Sequence, residues 1–523
     1  MPVNYRIHPA IGVARVGDSP DDYFIGPEAP GVAPSLRKPG DASTKPGTYK
    51  DRQQRIKRQG ARFRVYEYTT DAAGAVSEVR EITAATARID WEVHLVNGKA
   101  AEQTRFFPVR GRTLRNKGVD RAKLLIDPGP QRISGVSQGL APIAGTFMDK
   151  VKVKLGDLLT DAEGRLIVLG GLGTSQSFDG RRLSEDEDDF ADNDGWCDDT
   201  SDGSIRATIT LKAGGAAVAA DSAWLIVAPP DFAPPIGNVV TLWDRVYDMA
   251  ATFDRSLAVT ATSPVSFTTD IYPILKRATA LPWVSDFADS GHGKGSGGEF
   301  MAQLPGLADN DPKNGARQHV FQHLQNPKGG GGNMPQLGTS PDIPGIALTA
   351  SQYQRMTRWA KGTFTADWKG AAPVPPPFES LSEKDRPAAL DRAALEPCVG
   401  GPFFPGIEVG RIMLDKTTFE KKRPFRINTA RHPGELTARM AVPWQADFFA
   451  CECDRDVTMD WWPGQRPDAV QRGLTRAQWR LGVSGMNDMV ALWSKLGFVA
   501  EKTVKGEVTY VEVERSFPPA LKA

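Results

Sequence analysis

Glycine and proline interrupt this chain too often for it to be built of long helices. The 523 residues include 52 Gly and 40 Pro, nearly a fifth of the total, and both residue types break helix interiors and favour turns. Between the breaks, the first half alternates apolar and polar side chains with period two, as in Arg62–Tyr68 and Ile89–Val96. This is the pattern of a strand with one face buried. Further short strand-like runs follow at Val151–Leu155, Leu166–Gly170, Ser204–Leu211 and Ala223–Ala228, separated by turn signals such as Asn97-Gly98 and Asp161-Ala162-Glu163-Gly164. A β-rich region over residues 1–235 is expected.

The remainder, 236–523, reads as mixed. Val239–Phe253 and Thr349–Lys361 have helical spacing, the latter entered through a Thr or Ser cap. Gly291–Gly298, Gly329–Gly332 and Pro373–Pro377 read as loops, Leu474–Leu496 as helix and Val508–Val513 as a closing strand. The expected fold class is therefore α+β, with a β-rich N-terminal region packed against a mixed, loop-rich C-terminal region. No repeat of solenoid or propeller period is present.

Charge narrows the function. Lys+Arg number 64 and Asp+Glu 63, a formal net charge of +1, so the chain lacks the cationic excess that nucleic-acid phosphates require. No apolar run reaches the roughly 20 residues of a membrane span, and the start Met1–Arg6 lacks the apolar core of a signal peptide. Synthesis in the cytoplasm is expected, with unconventional export left open.

Several motifs have bland readings. Gly170-Gly171-Leu172-Gly173 lacks the spacing of a dinucleotide loop and reads as a strand end. The acidic run within Ser184–Gly203 could chelate a hard cation, but lacks EF-hand order and reads as a solvated loop. His319 and His323 share a helical face without a third metal ligand in view, and no metal site is expected.

Cysteine is scarce and concentrated. The four are Cys197, Cys398, Cys451 and Cys453, too few for a disulfide scaffold. Asp447 and Cys451 lie four apart, on one face of either a helix or a strand, and the adjacent Trp461 and Trp462 follow within the run Trp-Trp-Pro-Gly-Gln-Arg-Pro ending at Pro467. Asp447 has the aromatic neighbours Trp444, Phe448 and Phe449. Burial among them would disfavour its charged form and suit it to proton transfer near neutrality.

These residues resemble a known family. The opening Tyr5–Ser19, the segment Cys398–Glu408, Arg431-His432-Pro433-Gly434 and the Asp447/Cys451/Trp-Trp-Pro-Gly-Gln-Arg-Pro block are similar to the cysteine tryptophylquinone amino-acid oxidases, whose members include a lysine ε-oxidase and a glycine oxidase. The resemblance implies a protein-derived cofactor, cysteine tryptophylquinone, in which a Trp ring becomes an ortho-quinone joined to a Cys sulfur. It implies Cys451 as the thiol, Asp447 as the aspartate that builds the cofactor and moves protons, and Trp462, with Trp461 as the alternative, as the quinone. Cys453 remains a competing thiol. Cys398 matches a cysteine near the active site, and His432 is a candidate for substrate or proton handling. The reaction implied is oxidative deamination of an amino acid's primary amine through a Schiff base, with O2 giving ammonia and hydrogen peroxide. A flavin-dependent maturation enzyme and a homodimer or homotetramer are further implications. The rival reading is a relative in which the quinone never forms, acting as a non-oxidase or cation-binding protein.

Overall fold

The structure is a computed structural model describing residues 2–102, 115–185, 190–335, 347–401, 405–450, 463–504 and 506–517. Fifteen strands occupy its first 228 residues. They are β1 Val3–His8, β2 Ile11–Arg15, β3 Tyr23–Ile25, β4 Arg58–Thr70, β5 Val76–Ile82, β6 Ala87–Val96, β7 Gln131–Ser134, β8 Ala141–Phe147, β9 Val151–Thr160 and β10 Leu166–Gly170. β11 Gln176–Ser177, β12 Trp196–Cys197, β13 Ser201–Leu211, β14 Val218–Ala219 and β15 Ala223–Ala228 complete the set.

Thirteen of these form one sheet in the order β7-β6-β13-β15-β2-β4-β10-β9-β8, with β1, β3 and β5 also on β4 and β14 on β13. Most pairs are antiparallel; β15 runs parallel to β2 and β3 parallel to β4. Alternation explains which side chains enter the core: along β6, Ile89, Trp91, Val93 and Leu95 are buried while Arg88 is exposed. Phe63 and Val65 of β4, Leu155 and Leu158 of β9, and Leu166 and Val168 of β10 join the same cluster. Full burial of such side chains contributes about 1.5–3 kcal/mol each.

Register then sets the ends of neighbouring strands side by side. β13 runs antiparallel to β6 with Asp202 opposite Val96. The chain leaving β6 at Asn97–Lys99 therefore lies beside the chain entering β13 at Asp198–Thr200.

The C-terminal half is helical and loop-rich. The helix read from Val239 begins only at Leu242, because Thr241 caps it: its Oγ1 accepts from Asp244 N at 3.1 Å and the Asp244 carboxylate accepts from Thr241 N at 3.0 Å. Thr349 builds the same box with Gln352 for the helix Ala350–Ala360. Glu507–Val513 is a strand, paired with Phe498–Val504. Leu474–Leu496 is not a single helix. Thr475–Gln478 pairs with Ala469–Arg472 in a hairpin, and helix occurs only at Met486–Leu492 before a 3-10 turn at Trp493–Lys495. Gly473 and Gly482, both at positive φ, turn the chain out of helical geometry.

The two halves share buried groups. His8 of β1 bonds through Nδ1 to the Asp391 carboxylate (2.9 Å), in the helix Arg386–Leu395, while its Nε2 meets Tyr68 Oη (3.0 Å) and Arg426 Nη2 (3.2 Å). Burial holds the His8 imidazole below its ordinary pKa, against the opposing pull of Asp391. A histidine whose folded pKa is depressed contributes stability above its unfolded pKa of about 6.5 and loses it as pH falls below that value. His8→Gln is therefore expected to flatten the fall in melting temperature below about pH 6.5; an unchanged pH dependence in this variant would show that His8 does not titrate in the transition.

Candidate active site

Asp447 sits on the helix Trp444–Ala450. Seven residues are too few to hold a helix alone, and groups from loops remote in sequence or space hold this one. The Asp198 carboxylate accepts from Trp444 N at 2.9 Å, an anion placed where the first helical amide lacks a partner. Gln445 donates from Nε2 to Gly173 O (3.0 Å) and accepts from Ser175 Oγ (2.6 Å). At the other end, Arg466 Nε donates to Phe448 O (2.7 Å) and Nη2 to Phe449 O (3.2 Å), satisfying carbonyls that a helix end leaves open.

Asp198 is the hub. It is fully buried and accepts from Lys99 Nζ (2.7 Å), Asn97 Nδ2 (3.0 Å), Thr200 N (3.2 Å) and Thr200 Oγ1 (2.8 Å) besides Trp444 N. Lys99, 1% exposed, also donates to Ala441 O at 2.8 Å. Burial pulls the Lys99 ammonium below its ordinary pKa; Asp198 and, less strongly, Asp447 oppose this. Arg115 braces the outside of the pair, donating to Lys99 O (2.7 Å) and Met440 O (2.9 Å) and pairing with Asp192 at 3.2 Å.

The acidic run is thus not simply a solvated loop. Asp192, Asp198, Asp199 and Asp202 are buried, whereas residues 186–189 lie outside the described set. Asp202 accepts from Thr437 N (2.9 Å), Thr437 Oγ1 (2.6 Å) and Trp224 Nε1 (2.9 Å). Asp199 accepts from Thr174 N at 3.0 Å, and burial pushes its pKa up to about 7. Amides and cations brought in by distant segments occupy these carboxylates, which sequence spacing could not reveal. Among the described residues no group of three or more His, Cys, Asp or Glu is arranged to hold a metal ion.

Asp447 is itself 2% exposed and lies in the same helix as buried Trp444 and Phe448. It lines a cavity of about 10 Å³, close to the room one water needs, together with Lys99, Thr200, Glu408, Thr437 and Trp444. The sequence anticipated the aromatic surroundings and missed Lys99, because no local pattern marks a lysine three residues past a strand. Trp444 packs edge-on to Phe448 and to Trp493, with centroids 4.9 and 5.3 Å apart.

Behind this cavity lies a second buried network. Arg15 Nη2 donates to Glu408 Oε1 (2.8 Å) and approaches Cys398 Sγ (3.6 Å). Glu408 also accepts from Gln465 Nε2 (2.6 Å) and Val399 N (3.2 Å). Cys398 is buried and free, and burial followed by the Glu408 charge pushes its thiol well up. Burial raises the Asp231 carboxyl to about 7 against the pull of Arg15. His432 is exposed and does not line the Asp447 cavity, whereas Thr437, five residues on, does. His319 and His323 meet edge-to-face, centroids 4.7 Å apart, beside a separate apolar cavity of about 460 Å³ that none of the described sequence-predicted site residues lines.

Cys451, Cys453, Trp461 and Trp462 lie outside the described residues. Their flanks are described: Arg466 ties the chain after residue 462 to the helix carbonyls before residue 451. Gly464 packs so closely that a Cβ there would meet Ile236 O at 2.8 Å and Asn238 Oδ1 at 3.0 Å. Trp444 Nε1 and Gln465 Oε1, both buried, have no hydrogen-bond partner among the described residues, which leaves polar groups at this place for a cofactor to meet.

Comparison with known proteins gives the class and then the family. The fold matches solved structures of the L-Lys epsilon-oxidase from Marinomonas mediterranea. One is titled as its Schiff base intermediate with L-Lys (TM-score 0.75, 23% identity) and another as the enzyme itself (TM-score 0.76, 24% identity); each covers 98% of this chain and 95% of the other. The L-lysine 6-oxidase of the same organism is 29% identical over 549 residues, spanning 85% of this chain and 70% of that protein. The class is therefore an oxidoreductase. The L-Lysine epsilon oxidase N-terminal model matches residues 8–227 and the L-lysine epsilon oxidase C-terminal domain model matches 331–471. The chain belongs to the L-lysine epsilon oxidase family.

Arg466→Met, which strands two helix-end carbonyls and breaks the pair with Asp468 (3.1 Å), is expected to cost roughly 3 kcal/mol or more of stability. Urea unfolding read by tryptophan fluorescence checks this, and an unshifted midpoint would refute the clamp.

Proposed function

We propose that this protein is a quinoprotein oxidase of the primary amine of an amino acid. Its electron acceptor is a cysteine tryptophylquinone formed from Cys451 and Trp462, with Trp461 as the alternative. The observation that carries this reading is the buried Asp447, four residues before Cys451 and beside an aromatic wall, in a chain of this family. An ortho-quinone supplies what no ordinary side chain can: a carbonyl that takes a primary amine and a ring that accepts an electron pair. The chain's own residues do the rest. The Asp447 carboxylate takes the proton from the carbon bearing the amine, the substrate's C–H bond leaving its electron pair behind. Trp444 and Phe448 keep bulk water away from that transfer, and Arg466 and Asp198 hold the helix that aims it.

Overall, amine, water and O2 become a carbonyl compound, ammonia and hydrogen peroxide. Cys398 and the Arg15–Glu408 pair stand one layer behind Asp447 and act as supports. His432, exposed in the structure, receives no role in this reading. A thioether closing a loop of about ten residues adds roughly 2–3 kcal/mol by analogy with disulfides. A flavin-dependent maturation enzyme performs the ring oxygenation, and the assembly is a homodimer or homotetramer. A cation-binding role finds little support, because the described acidic side chains already have amide and cation partners.

The test is co-expression with the maturation partner, a visible spectrum, peptide mass mapping and an amino-acid panel read as peroxide. Cys451→Ala is expected to abolish the crosslink and the quinone absorbance, and Cys453→Ala to leave both. Asp447→Asn is expected to lower kcat by about 10²–10⁴-fold. A linear peptide with Trp461 and Trp462 unmodified in co-expressed protein would overturn the proposal.

A further inference from the structure

A buried ammonium is costly, by several kcal/mol even after the protein relaxes around it, and the contacts of Lys99 do not by themselves require a cation. Asp198 already receives N–H or O–H bonds from Asn97, Thr200 and Trp444, and a neutral amide oxygen could accept those. Lys99 nonetheless places its Nζ at 2.7 Å from Asp198 and 2.8 Å from Ala441 O. Those contacts use two of its three N–H bonds. Lys99 and Asp447 line one cavity and interact electrostatically.

The other charges facing this cavity are balanced elsewhere. Glu408, from the segment after Cys398, is paired with Arg15 of β2 at 2.8 Å. Arg115, on the far side of Lys99, is paired with Asp192 at 3.2 Å. Asp198 stands at the entry to β13 and Asp447 on the helix Trp444–Ala450. Lys99 is hydrogen-bonded to Asp198 and stands within Coulombic reach of Asp447 across the cavity that both line. Burial alone disfavours a charged Asp447, and an ammonium within Coulombic reach favours it.

We propose that Lys99 is a positioning residue that keeps Asp447 ionised at neutral pH, with Asp198 fixing the ammonium in place. This rests on the reading of Asp447 as the proton acceptor and adds the group that keeps it able to accept. Register makes the device possible: β6 and β13 bring Lys99 and Asp198 together at one edge of the sheet, and Asp198 then seats the helix carrying Asp447.

The decisive variant is Lys99→Met with Asp198→Asn, which removes both charges of the pair and retains an oxygen for the Trp444 amide. Proteins made without the maturation partner are titrated by infrared difference spectroscopy. The carboxylic-acid carbonyl band that disappears in Asp447→Asn reports Asp447 directly, without any quinone. In the double variant this band is expected to appear at a higher pH than in the parent, by less than the roughly one to three units that loss of the ammonium alone gives, because the opposing Asp198 charge is removed with it. Lys99→Gln is expected to move it in the same direction, should the double variant fail to fold. In matured protein the acid limb of kcat/KM is expected to rise by the same amount, with KM on the plateau little changed. An Asp447 band that titrates at the parental pH in a folded variant would overturn the proposal. If the parent never forms a quinone, the functional reading fails while the infrared titration still decides the role of Lys99.

Discussion

The candidate site depends on one buried carboxylate. Asp198 ties the end of β6, the start of β13 and the first turn of the Asp447 helix into one unit, through Lys99, Asn97, Thr200 and the Trp444 amide. Removing that charge from water is expensive, and only a full set of donors offsets the cost. The fold provides them from three places distant in sequence. The candidate site is therefore seated by the sheet although Asp447 lies in the C-terminal half.

The short helix shows how such a seat works. Asp198 holds its N-terminal amide, Gly173 and Ser175 hold Gln445, and Arg466 holds its last carbonyls. Each contact uses a backbone group that a seven-residue helix cannot satisfy internally. Behind it the Arg15–Glu408 pair joins the start of the chain to the Cys398 segment, so the N-terminal signature and the C-terminal block meet in space. The matching of separate N- and C-terminal family models over 8–227 and 331–471 is consistent with a site built from both.

What was readable in the sequence follows the range of the interactions involved. Period-two alternation located β4 and β6, because one-sided burial in a sheet imprints itself residue by residue, and short runs between turn signals located β9, β10, β13 and β15, of which β10 and β15 are buried along their whole length. The capping residue Thr349 fixed a helix start for the same local reason, whereas the helix read from Val239 starts three residues later, at the Thr241 cap. Leu474–Leu496 misled because its apolar spacing suits a helix while Gly473 and Gly482 turn the chain, and cross-strand pairing with Ala469–Arg472 then wins. The acidic run misled in the opposite sense. Charge-rich composition reads as solvated, yet Asp192, Asp198, Asp199 and Asp202 are buried because remote donors reach them.

By itself the sequence determined the strand-rich first half, the mixed second half and the family, and it nominated the Asp447, Cys451 and tryptophan block as the candidate for the chemistry. All of these are written in neighbouring residues or in motifs. Tertiary structure alone decided that Lys99 and Asp198 stand beside Asp447, that Arg466 closes the helix, and that His432 faces outward while Thr437 faces in. The physical reason is that burial of charge is settled between segments tens to hundreds of residues apart, and no local pattern records which cation will meet which carboxylate.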